Sequence, residues 1–120
     1  MKPEIIIEKA MALTSSLRYV AVYINGKLVS RQRSNISDSS TPESDKYEEL
    51  IVNPTLLKLT TQRGNIDCGG LNYIIIRYGN FFVLLFPLEG EGGHINFGFE
   101  PNADPLDWVE PIKSLLKHSA

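Results

Sequence analysis

Residues 72–86 read Asn72-Tyr73-Ile74-Ile75-Ile76-Arg77-Tyr78-Gly79-Asn80-Phe81-Phe82-Val83-Leu84-Leu85-Phe86. Gly79-Asn80 is a turn dipeptide, and the residues on either side are mainly β-branched, aromatic or leucine. The stretch therefore predicts two strands, Leu71 to Tyr78 and Phe81 to Leu88, joined as a hairpin. Phe81 to Phe86 is apolar at both parities, and so is Ile74-Ile75-Ile76. A sheet with one face in water would alternate, so both faces of this one must be covered.

Working outward, His94 to Phe99 alternates as a further strand, with Ile95, Phe97 and Phe99 on one face and His94, Asn96 and Gly98 on the other. Nearer the N-terminus, Tyr19 to Ile24 and Lys27 to Arg33 flank Asn25-Gly26, the dipeptide favoured in two-residue hairpins. The second of these strands carries Lys27, Ser30, Arg31, Gln32 and Arg33, the polar dress of an edge strand. Pro3 to Ser16 has Ile6, Ala10, Leu13 and Leu17 at helical spacing behind a first-turn proline. Ser34 to Asp45 is almost free of apolar side chains and reads as a mobile polar loop. In the segment Lys46 to Arg63, Asn53-Pro54 marks a helix start, Leu56, Leu57 and Leu59 follow, and Gly64 supplies a stop before the glycine-rich connection Asn65 to Gly70. Asp104 and Pro105 open a last helix whose stripe is Trp108, Val109, Ile112, Leu115 and Leu116, with Pro111 marking either a kink or its true start.

The element order is helix, hairpin, helix, three strands, helix, over connections too short for parallel crossovers. The expected fold is α+β, a three-layer α/β/α domain over residues 1–120 with a five-stranded antiparallel sheet. First and last helices cover one face. The short middle helix cannot cover the other alone, and a second copy of the chain could, so a homodimer is expected.

With 120 residues, the chain has the size of a single domain. A formal charge of -2 gives no long-range pull towards phosphate backbones or anionic lipid, so neither nucleic acid nor membrane is expected as a partner. The single cysteine, Cys68, fits a reducing compartment, and Glu4 and Glu8 interrupt any signal-peptide core, so the expected location is the cytoplasm.

Reactive chemistry is thinly represented. Cys68 with His94 is the only nucleophile and base pair to consider, and a cysteine just before a strand is more often a small packed residue. Two histidines and one cysteine show no close metal-ligand spacing. Gly90-Glu91-Gly92-Gly93 lacks the lysine and following helix of a phosphate loop, and Glu89 and Glu91 would repel phosphate. Glu43, Asp45, Glu48 and Glu49 read as a solvated acidic face, and His94 as a surface or hydrogen-bonded histidine. No catalytic, cofactor-binding or metal-binding residue is assigned, and the chain is expected to be no enzyme.

The element order, the hairpin Tyr19-Val20-Ala21-Val22-Tyr23-Ile24-Asn25-Gly26-Lys27-Leu28-Val29, and Asn72 to Leu85 followed by a closing amphipathic helix together resemble the roadblock (dynein light-chain roadblock) family, of profilin-like and longin-like architecture. The resemblance covers nearly the whole chain. It implies a homodimer joined edge to edge through the third strand with the middle helices paired. Here these are Leu71 to Tyr78 and Pro54 to Arg63, giving as interface Leu56, Leu59, Thr60, Arg63, Leu71, Tyr73, Ile74, Ile75, Ile76 and Tyr78. It also implies regulation or scaffolding of a small Ras-like GTPase, or of a motor or signalling complex, with no cofactor. This chain departs from the family in its polar loop and Pro54, where family members carry a longer uninterrupted middle helix. A second reading is a PAS-like or profilin-like sensor of a small ligand or peptide, whose mark would be a closed pocket lined by Tyr73, Phe82, Phe86 or Trp108.

Overall fold

Strands β1 (Leu17–Ile24), β2 (Lys27–Gln32), β3 (Ile74–Arg77), β4 (Phe82–Leu88) and β5 (Gly93–Phe99) form one antiparallel sheet in the order β2-β1-β5-β4-β3. The structure is a computed structural model and describes residues 2–88, 90 and 92–118; Glu89 and Glu91 of the glycine-rich turn lie outside the described residues, as do Met1, Ser119 and Ala120. β2, the polar strand, is one edge and β3 the other, so Ile74 to Arg77 pair only with β4.

One face of the sheet packs on α1 (Pro3–Leu13) and α4 (Val109–His118). Ile6, Ile7 and Ala10 of α1 and Val109 and Ile112 of α4 meet Val20, Val22, Leu84, Phe86, Ile95, Phe97 and Phe99 in the main core. Phe97 sits edge-on to Phe86, ring centroids 5.9 Å apart. The parity of β5 is as expected: Ile95, Phe97 and Phe99 face this core, and His94, Asn96 and Gly98 alternate with them. α1 ends at Leu13, short of Ser16, because Thr14 turns extended and its hydroxyl takes the Ser16 N–H at 3.1 Å. Pro111 falls in the first turn of α4 and so costs no helical hydrogen bond; it marks a start and no kink. Ahead of it Pro105–Trp108 makes a 3-10 turn capped by the Asp104 carboxylate, which accepts from the Leu106 N–H at 3.0 Å.

The other face is where the sequence reading falls short. Instead of a short helix from Pro54 to Arg63, helical backbone runs through α2 (Pro42–Tyr47), a π-helical stretch (Glu48–Val52) and α3 (Asn53–Asp67). Pro42 to Asp45, expected in the polar loop, form the first turn, and Thr41 and Ser44 close a reciprocal capping box. Pro54 does not start the helix. It lacks the N–H that would bond the carbonyl four residues back, and the wider turn beside it absorbs the mismatch: the Asn53 N–H donates to the Glu48 carbonyl, an i to i+5 bond. Nor does Gly64 end the helix. It is buried inside α3, where a Cβ would come within 3.0 Å of the Gly70 backbone, so the absent side chain lets the connection to β3 fold back across the helix.

Gly93 opens β5 against the Tyr23 and Ile24 backbone, and a Cβ placed there would lie on the Tyr23 carbonyl oxygen. Gly93→Ala is therefore expected to lower the stability by about 2 kcal/mol or more through forced displacement of β1 from β5. Urea unfolding measures it, and a midpoint unchanged from wild type would contradict this packing.

Candidate functional site

β5 presents His94 and Asn96 to the face under the middle helix, and β1 presents Tyr19 beside them. In a covered sheet these polar side chains require partners. The π-helical stretch supplies one by turning Glu49 inward, where it is completely buried. Its Oε1 accepts from Asn53 Nδ2 at 2.9 Å and meets His94 Nε2 at 2.8 Å. Its Oε2 accepts from Asn96 Nδ2 at 2.7 Å and from the Tyr19 hydroxyl at 3.1 Å. Glu49 is thus no part of a solvated acidic face. The i to i+5 turn sets it on the inner stripe of the helix with Asn53 and Leu57, against the polar parity of β5.

The remaining acidic residues of that run are half-withdrawn from water. Glu48 accepts from the Tyr78 hydroxyl at 3.1 Å and Asp45 from the Ser40 hydroxyl at 2.5 Å. Burial, followed by the charge of Glu49, holds Asp45 above the ordinary carboxylate range against the pull of the Ser40 bond. Burial also raises Glu48, opposed by the Tyr78 bond and reinforced by Glu49 and Asp45. The phenols respond in kind: Tyr78 is pushed up to about 12, by burial and then by the Glu48 charge, and Tyr19 is raised further by its deeper burial and by Glu49.

The outer side of the same helical segment carries large apolar side chains among Thr55, Lys58, Gln62 and Arg63. Tyr47, Leu50, Ile51, Leu59 and Ile66 are all exposed, Leu59 to 60% and Ile66 to 76%. This stripe lies on the same side of the sheet as the helix, and β3, like the polar strand β2, leaves one edge unpaired.

A crystal structure of a Roadblock/LC7 domain from Streptomyces avermitilis matches this architecture with a TM-score of 0.72, over 98% of this chain and 94% of that one, at 11% sequence identity. The fold is of the roadblock type. No family model and no curated protein matches the sequence.

On this roadblock-type scaffold the ten anticipated interface residues divide three ways. Leu59 and Arg63 lie outward on α3, with Arg63 ion-paired to Asp67 at 2.6 Å, while Leu56 and Thr60 are half-buried. Leu71, Ile74, Ile76 and Tyr78 pack with Leu57, Val83 and Leu85 under the helix. Ile75 and Tyr73 face the opposite core, Tyr73 against Phe86 at 6.1 Å. Tyr47, Leu50, Ile51 and Ile66 were missed because the helix was expected to begin at Pro54 and stop at Gly64. Phe82, Phe86, Trp108 and Tyr73 pack into or against the main core. Cys68 is exposed at the end of α3 and His94 is buried on Glu49, so the structure does not join them. Among the described residues no three His, Cys, Asp or Glu side chains gather as a metal site, and no helix is long and apolar enough to cross a membrane.

Two outcomes are expected of the buried carboxylate and its neighbours. Glu49→Ala strands four hydrogen-bonding side chains and should cost about 3–5 kcal/mol in urea unfolding; a loss below about 1 kcal/mol would show that they find other partners. Asp45 and Glu48 hold their protons more tightly in the folded chain than when unfolded. That contribution to stability is full below about pH 4 and is lost as the pH rises through their raised values. The double variant Asp45→Asn/Glu48→Gln should therefore gain stability relative to wild type on going from acid to neutral pH, and a gain that shrinks over that interval would reverse the sign.

Proposed function

We propose that the protein is a non-enzymatic, homodimeric interaction module of the cytoplasm that regulates or scaffolds a small Ras-like GTPase or a motor or signalling complex. The observation that carries the dimer is the apolar stripe Tyr47, Leu50, Ile51, Leu59 and Ile66 on the outer side of the middle helix. An apolar stripe of this length is a liability on a free monomer. Packed against its own copy about a two-fold axis it becomes a self-complementary helix pair. The free edge of β3 supports the same arrangement, since edge-to-edge pairing with a second β3 would satisfy its unpaired backbone groups. The partner class rests on the likeness of fold and on the resemblance in the two hairpins.

The second copy has a different task from the one the sequence implied. The sheet already has its second layer in residues 42–67, and what a partner would cover is the outside of that layer.

Leu59 and Ile66 are the substitution sites of choice, because their exposure spares the fold. Sedimentation velocity should find the wild type dimeric and Leu59→Glu/Ile66→Glu monomeric, with circular dichroism unchanged. A wild type that stays monomeric at high micromolar concentration would overturn the dimer. Affinity capture from the source cell should recover a small GTPase or scaffold protein with the wild type, and its absence would remove the partner class.

A further inference from the structure

Between the π-helical stretch and the sheet lies a cavity of about 350 Å³ that shares only Tyr47 with the outer apolar stripe. Three carboxylates reach its wall, Asp45, Glu48 and Glu49. Four aromatic rings, Tyr19, Tyr47, Tyr78 and Phe81, line it as well. We propose that this cavity binds a primary alkylammonium group, carried either by a free amine or by a lysyl side chain.

The strongest pointer is Asn96. It lines the cavity, it is only 2% exposed, and its Nδ2 is fixed by Glu49, so the amide cannot be turned round. Its carbonyl Oδ1 makes no hydrogen bond among the described residues. A buried acceptor without a donor is costly, and a ligand that brings an N–H removes the deficit.

Charge sets the class of donor. Glu49 is balanced by its own four contacts, but Asp45 and Glu48 hold only hydroxyl donors, and among the described residues no cation lies within ion-pair distance of either. The cation in the wall, Arg18, is engaged elsewhere. Its guanidinium donates to the carbonyls of Ser37, Asp38 and Asn80, lies 3.7 Å from Glu100, and rests over the Phe81 ring at 5.1 Å. An incoming ammonium meets carboxylate and carbonyl acceptors, which favour a cation over a neutral donor. Its methylene chain has Val52 and Val83 to pack on. The volume is at the small end for ligand sites, as suits a single side chain or a short amine.

The experiment is a titration of the full chain with n-butylammonium chloride, followed by amide chemical shifts in two-dimensional NMR, with n-butanol and sodium butyrate as neutral and anionic matches. Saturable shifts at Tyr19, Val52, Asn96 and Gly98 are expected from the ammonium alone, at the millimolar affinity proper to so small a molecule. Asp45→Asn/Glu48→Gln, checked for folding by its own spectrum, should weaken binding about tenfold or more. Tighter binding of Nα-acetyl-lysine N-methylamide than of n-butylammonium assigns the site to a protein side chain, and the reverse order assigns it to a free amine. Equal shifts from n-butanol, or a folded variant that keeps the wild-type affinity, would overturn the proposal. Repeating the titration on Leu59→Glu/Ile66→Glu separates this site from the dimer, since the cavity lies under the helix and Leu59 and Ile66 on top of it.

Discussion

The buried carboxylate of Glu49 is the constraint on which the arrangement of the second layer depends. A fully desolvated carboxylate is tolerated only where donors surround it, and here β1, β5 and the helix each supply at least one. Because the donors sit at fixed positions on two neighbouring strands, they fix both where the helix crosses the sheet and how it is rotated about its axis. Once Glu49 and Asn53 face inward, Leu50 and Ile51 must face out. The exposed stripe is thus a geometric consequence of the buried network, and the proposed interface inherits its position from it.

The same constraint explains the π-helical stretch. An α-helix run through Glu48 to Pro54 would have to lose a hydrogen bond at the proline. The wider turn relocates that loss, and the shift in phase after it keeps Asn53 and Leu57 on the inner side together with Glu49. Such turns are common at functional sites, and here it forms the roof of the cavity at Glu48, Glu49 and Val52.

Much of the sheet was legible in the sequence because its signals are local. Asn25-Gly26 and Gly79-Asn80 set the hairpins, the polar dress of Lys27 to Gln32 marked an edge, and the double parity of Phe81 to Phe86 demanded two covering layers. The middle helix was not legible. Pro42 to Asp45 has the composition of a loop, and its helical state depends on a capping box and on the π-helical stretch that continues it. Asn53-Pro54 and Gly64 carry strong start and stop signals that tertiary contacts override. The Glu49 network left one readable trace: His94 and Asn96 alternate with apolar residues in a strand whose sheet was already known to be covered on both faces, which requires a polar group opposite. Likeness in fold at 11% identity has the same origin, since parity and turn chemistry survive where particular side chains do not.

Cys68, the only cysteine, is exposed at the end of α3 and gives a single site for a nitroxide label. Pulsed dipolar electron spin resonance on the labelled wild type measures most directly whether two copies pair along the outer stripe of the middle helix. The predicted result is a narrow distribution of intermolecular spin distances that collapses to featureless background when unlabelled chain is added in excess. Background decay alone, at a concentration where the chain is folded, would contradict the account.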